Sequence, residues 1–109
     1  MKDFSNIGVK SLGQNGYRKY DDGLLIQWGY ITGSASIKTT YLNSSFYDSN
    51  YNVSAIGVYN NTSEAVVVVP MLVSKTQSYF RMCVRFGADN GGGGYSPWPY
   101  YWFAIGRWK

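Results

Sequence analysis

The chain has no histidine, a single cysteine and only six carboxylates in 109 residues. Those shortages exclude a Ser-His-Asp or Cys-His nucleophilic site and remove the usual ligands of tetrahedral zinc. Neither a metal nor a cofactor is expected. Cys83 has no intrachain disulfide partner, so the fold stands on packing alone. Charged residues make up only 15% of the chain, against roughly 25% in an average soluble domain. The net charge of +4 is too small to make nucleic acid an attractive partner. The aliphatic run 65–69 is broken by Pro70, far short of the roughly 20 residues of a membrane helix. The polar stretch after Met1 has no hydrophobic segment of the signal-peptide kind, and no membrane insertion is expected.

What the chain has is aromatics (18%) and glycine (13 residues), a mixture that favours strands, turns and contact surfaces over helices. One domain fits the length. Residues 1–23 are polar, punctuated by glycines and without sustained period, and read as a connecting arm ending in the turn Asp21-Asp22-Gly23. The sequence then offers six strands over 24–109. Residues 24–31 (LLIQWGYI) read as a strand buried on most of both faces, and 36–42 as a weaker one. Over 51–59, Tyr51, Val53, Ala55 and Gly57 share one face, with a turn at Asn60-Asn61-Thr62-Ser63. In AVVVVPMLV the β-branched residues favour a pleated sheet, and Pro70 makes the strand an edge, bulged, or split in two. Residues 78–86 alternate most cleanly, with Phe80, Met82, Val84 and Phe86 as core, and YYWFAIGRW closes the chain as a strand with aromatics on both faces. With no helical stripe anywhere, the pattern predicts an all-β fold, an antiparallel β-sandwich of about six strands or a small barrel.

Three segments, NGYRKYDDGLLIQWG (15–29), KTQSYF (75–80) and YYWFAIGRW (100–108), resemble in residues and order the C-terminal domain of bacteriophage tail-fibre proteins. Gly16-Tyr17, Gly23, Gln27-Trp28-Gly29, Thr76, Phe80, Trp102, Ala104 and Gly106 match that pattern, whereas Ser78-Tyr79 stand where a glycine commonly precedes the Phe. The resemblance implies a homotrimeric β-sandwich, similar to the snail agglutinin type of lectin fold. It also implies a place on the virion at the distal end of a tail fibre, joined to an upstream shaft. Its expected role is attachment to a bacterial surface glycan or protein without catalysis. A structural trimerisation cap with no receptor contact is the rival. The residues agree on a partner chain, because Tyr17, Trp28, Tyr79 and Tyr101 alternate out of the expected core.

The expected receptor-binding residues fall on two loops. The segment 87–99 (GADNGGGGYSPWP) combines glycines, which allow close backbone approach, with the rigid aromatic faces of Tyr95, Trp98 and Tyr100 and the polar Asp89, Asn90 and Ser96. The segment 43–50 (NSSFYDSN) adds Phe46, Tyr47 and Asp48. Whether the two loops share one end of the sandwich stays open. The adjacent carboxylates Asp21-Asp22 suit a turn better than a glycosidase pair, since neighbours on an extended chain point apart. Arg81 and Arg85 read as solvated or paired across a protomer seam.

Overall fold

The computed structural model describes residues 10–32, 36–58, 66–88, 91–96 and 98–109. Nine strands lie among them: β1 (Lys10–Ser11), β2 (Gly16–Lys19), β3 (Leu24–Ile31), β4 (Lys38–Tyr41), β5 (Asn52–Gly57), β6 (Val66–Lys75), β7 (Tyr79–Ala88), β8 (Gly93–Tyr95) and β9 (Tyr100–Arg107). The fold is all-β, and every strand pairing is antiparallel. One sheet has five strands in the order β1-β2-β3-β9-β5; the other has β4-β7-β6, with β8 added to β7 beyond the end of β4. Six of these strands are the ones read from periodicity. The other three, β1, β2 and β8, come from the polar stretch read as an arm and from the glycine-rich segment, where no alternation marks a strand.

The core lies between the sheets. Leu25, Gln27 and Gly29 of β3 point inward with Trp102 and Ala104 of β9, and face Phe80, Met82 and Val84 of β7. β3 is buried on one face only. Leu24 is exposed and Ile26, Trp28 and Tyr30 are half-buried, which corrects the expectation of burial on both faces. Val53 and Ala55 of β5 turn inward as the alternation predicts, leaving Ile56 exposed. β6 is one continuous strand through Pro70, at the sheet edge, where a missing amide donor is tolerated, and its register shifts between Leu72 and Ser74. The expected turn at 60–63 lies outside the described residues.

Gly29 makes room on the inner face for the Trp102 indole. A Cβ there would overlap the Trp102 indole nitrogen and stand 2.7 Å from Asn15 Oδ1. That Asn15 oxygen in turn accepts from the Tyr30 amide at 2.9 Å, so a side chain at residue 29 disturbs both the core and the turn before β2. The Asp21-Asp22 pair does form a turn, in which Leu24 N donates to Asp22 Oδ1 at 3.1 Å. Trp108 closes the same end: its indole donates to Tyr20 O at 2.6 Å, beneath the amines of Lys19 and Lys109.

The molecule is thin, 53 × 32 × 16 Å. Its radius of gyration is 16.2 Å, against about 13 Å for a compact chain of this length. Much apolar surface therefore stays open. Gly29→Ala should lower stability by about 1–3 kcal/mol through overpacking, read as a fall in the thermal midpoint; an unchanged midpoint would show that Trp102 yields without strain.

Candidate functional site

The loop 43–50 is built on a buried amide. Gln27, with no solvent exposure, donates from Nε2 to Ser44 O at 2.7 Å and accepts from Ser44 N at 3.2 Å. Phe46 then turns into the core and stacks on Tyr51, ring centroids 4.1 Å apart and planes 14° from parallel. Tyr51 is itself buried, its hydroxyl donating to Thr76 O and Tyr79 O at 2.7 and 3.0 Å. Desolvation pushes its pKa up to about 12. The Lys75 amine donates to Tyr51 O and sits 5.0 Å from the centre of its ring.

Three further bonds fix the tip: Phe46 N to Gln77 O, Gln77 Nε2 to Tyr47 O, and Tyr47 N to Arg107 O. Tyr47 is thereby held outward, half its surface exposed, with the Arg107 guanidinium 4.1 Å from its ring centre. Asp48 Oδ1 accepts from Asn50 N at 2.9 Å. Below this tip opens a cleft of about 630 Å³ lined by Leu24, Asp48, Asn50, Asn52, Ile105, Gly106 and Arg107.

Residues 91–96 and Trp98 stand at the opposite end. β9 begins at Tyr100, next to these residues, and ends at Arg107, which binds the 43–50 tip, so the two loops are separated by the length of an eight-residue strand, about 25 Å. The glycine run is ordered by β7: Gly91, at φ 87°, turns the chain, Gly91 N donates to Ala88 O, and Gly93–Tyr95 pairs with Arg85, Phe86 and Gly87. Tyr95 is exposed beneath the Arg85 guanidinium, 4.9 Å from its ring centre. Trp98 is half-buried, edge-on to Phe86.

Of the expected contact residues, Tyr47, Asp48, Tyr95 and Trp98 therefore reach the surface. Phe46, Ser96 and Tyr100 do not, a correction to the reading of their loops: they are 2%, 0% and 2% exposed. Phe46 and Tyr100 are core aromatics, whereas Ser96 is consumed by local bonds, its N donating to Val84 O and its Oγ accepting from Trp98 N. Burial raises the pKa of Tyr100; the neighbouring Thr40 hydroxyl opposes that rise and the Cys83 thiol adds to it. Asp89 and Asn90 lie outside the described residues. Asn50, Asn52 and Arg107 escaped the sequence reading, because nothing along the chain shows that residue 107 returns to residue 48. Arg81 is exposed as expected, and Cys83 is buried.

The outer face of the five-stranded sheet is a second feature. Cross-strand partners place Tyr30, Tyr101 and Ile56 in one row, Trp28, Phe103 and Ser54 in the next, and Ile26, Ile105 and Asn52 in a third. Ile56, Tyr101, Phe103 and Ile105 are exposed. Trp28 and Tyr101 thus point outward as expected. Tyr17 does not: it shares the inner face with its partner Gln27 and packs against the core.

A family model described as tail fiber protein gp53-like, C-terminal, matches residues 19–107. Among solved structures, an N-truncated R2-type pyocin tail fiber aligns with TM-score 0.58 at 18% identity, over 91% of this chain and 37% of that one. An N-truncated R1-type pyocin tail fiber gives 0.57 at 20%, over 90% and 84%. A C-terminal piece of the P. aeruginosa R1 pyocin fiber gives 0.56 at 21%, over 90% and 27%. At these identities the likeness is one of fold. No curated protein matches the chain.

Two outcomes follow from the loop's anchoring. Gln27→Leu leaves Ser44 N–H and C=O without their partners and should cost about 1–3 kcal/mol, with faster amide exchange over 44–50 and unchanged exchange in β7. Tyr51 ionises near pH 10 in the unfolded chain but only at about 12 when folded. The unfolded state therefore loses its proton first, so stability is full below about pH 10 and falls toward about pH 12. Urea midpoints measured at about pH 9 and about pH 11 should differ less in Tyr51→Phe than in the parent; an equal difference would remove Tyr51 as the cause.

Proposed function

This chain belongs to the gp53-like tail fiber C-terminal family, and on that premise we propose that it attaches a phage-type tail fibre to a bacterial surface receptor, as a homotrimer and without catalysis. The coarser part is established: it is a tail-fibre C-terminal domain, all-β and antiparallel, and so a structural protein of a phage-type tail. The observation that carries the finer part is the pairing of rigidly tied loops with an open apolar sheet face. Tyr47 and Asp48 at one end and Tyr95 and Trp98 at the other are surface groups held by fixed bonds on a strand scaffold, which is how binding residues are usually presented.

The homotrimer is supported by the outer face of the five-stranded sheet. Trp28, Tyr30, Ile56, Tyr101 and Phe103 form a patch continuous across three strands, of the kind that monomers seldom leave in water. The exposed edge strand β6 adds Val67, Val69 and Met71. A second and a third copy of the chain are the partners that would cover these surfaces, leaving the polar loops at the rim. The stretch before Gly23 would lead back to the fibre shaft, fastened to the sandwich by β1 and β2. Three weak sites on one trimer then act through avidity.

Labelled protein applied to a panel of bacterial strains, together with sedimentation of the same samples, tests both parts. A trimer that binds a narrow set of strains is expected. Phe103→Asp should dissociate it and weaken cell binding by tenfold or more. Assembled protein that binds no strain would favour a cap that only ends the fibre. Tyr47→Ala and Tyr95→Ala, compared as trimers, tell which end makes the contact.

A further inference from the structure

The outer face of the five-stranded sheet changes character along its length. The rows of Tyr30, Tyr101 and Ile56, then Trp28 and Phe103, give way to Ile26, Ile105 and Asn52, and finally to Leu24 and Arg107. Beyond that last row the 43–50 loop folds over and contributes Asp48 and Asn50. The result is a cleft with an apolar floor and hydrogen-bonding walls. Its volume of about 630 Å³ is that of a small-ligand site, roughly 300–1,000 Å³.

The charges in the cleft are set but not spent. Arg107 is steadied by the Tyr47 ring, and one oxygen of Asp48 is occupied by the Asn50 amide. No ion pair joins Asp48 to Arg107, although both line the same cleft. An acceptor carboxylate, a five-donor guanidinium and the amides of Asn50 and Asn52 offer both halves of the hydrogen bonds that a polyhydroxylated ring can make. Leu24 and Ile105 offer a surface for its C–H face. One positive and one negative group leave the cleft without net charge, so neither an acidic nor a basic ligand is favoured.

We propose that this cleft is a subsite for a neutral, hydroxyl-rich saccharide. Asp48 accepts from its hydroxyls, Arg107 and the two asparagines donate to it, and Leu24 and Ile105 carry its apolar face. The inference rests on the attachment reading and deepens it, by naming the ligand class and the end of the domain that meets it. The loop's anchoring through Gln27 and the Phe46–Tyr51 stack supplies the preorganisation.

The test uses the assembled chain and protease-treated surface polysaccharide extracted from a strain whose cells it binds, with free neutral and acidic monosaccharides as competitors. The polysaccharide is expected to bind, and neutral sugars to compete better than acidic ones. Asp48→Asn, which keeps the bond to Asn50, and Arg107→Lys, which keeps the charge but loses the fork, should each weaken binding by tenfold or more. Thr39→Ala, on the other sheet, should leave it unchanged. If cells bind but the extracted polysaccharide does not, or acidic sugars compete better, or neither variant weakens binding, the proposal falls and the attachment reading stands. If neither cells nor polysaccharide bind the assembled protein, both fall. A spectroscopic check that each variant remains trimeric and folded separates loss of the site from loss of the fold.

Discussion

A single buried amide holds the 43–50 loop in place. Gln27 sits at the centre of β3 with no access to solvent and hands both of its polar atoms to the backbone of Ser44. A buried amide without partners is costly, and a loop without fixed bonds is mobile; each problem solves the other here. From that point the chain can turn Phe46 inward onto Tyr51 while Tyr47 and Asp48 face outward. The polar residue in the core is thus what determines where the candidate contact residues stand.

Burial of the rest is uneven for a topological reason. Two thin sheets enclose one apolar layer, and a chain this short has too few residues to cover both outer faces with polar ones while spending so many on aromatics. β9 shows the compromise. Tyr100, Trp102 and Ala104 face inward, while Tyr101 and Phe103 face outward and are equally apolar. A strand with that composition on both faces leaves one apolar face open in the single chain. The homotrimer proposed above would cover it.

The strand pattern was legible wherever alternation was strong. Phe80, Met82 and Val84 are core because a period of two puts them on one side of β7, and Val53 and Ala55 follow the same logic. The short strands were illegible. β1, β2 and β8 carry too few apolar residues to show a period and form because a neighbouring strand presents unpaired backbone groups. Exposure within loops was also hard to read, since Phe46 and Tyr47 are adjacent aromatics with opposite fates, decided by Tyr51 and Arg107 far along the chain.

Composition and periodicity by themselves determined the class: all-β, held without disulfide, with no histidine for acid–base work and with aromatics in excess of what one core needs. Those are properties of residue counts and of neighbours two apart, and they need no knowledge of what meets what. Tertiary structure decided the rest. It put residues 91–96 and the 43–50 loop at opposite ends, buried Ser96 and Tyr100, and brought Asp48, Asn52 and Arg107 to one cleft. Such convergence depends on strand order and register, in which β9 pairs with both β3 and β5, and long-range pairing leaves no periodic trace in the segments it joins.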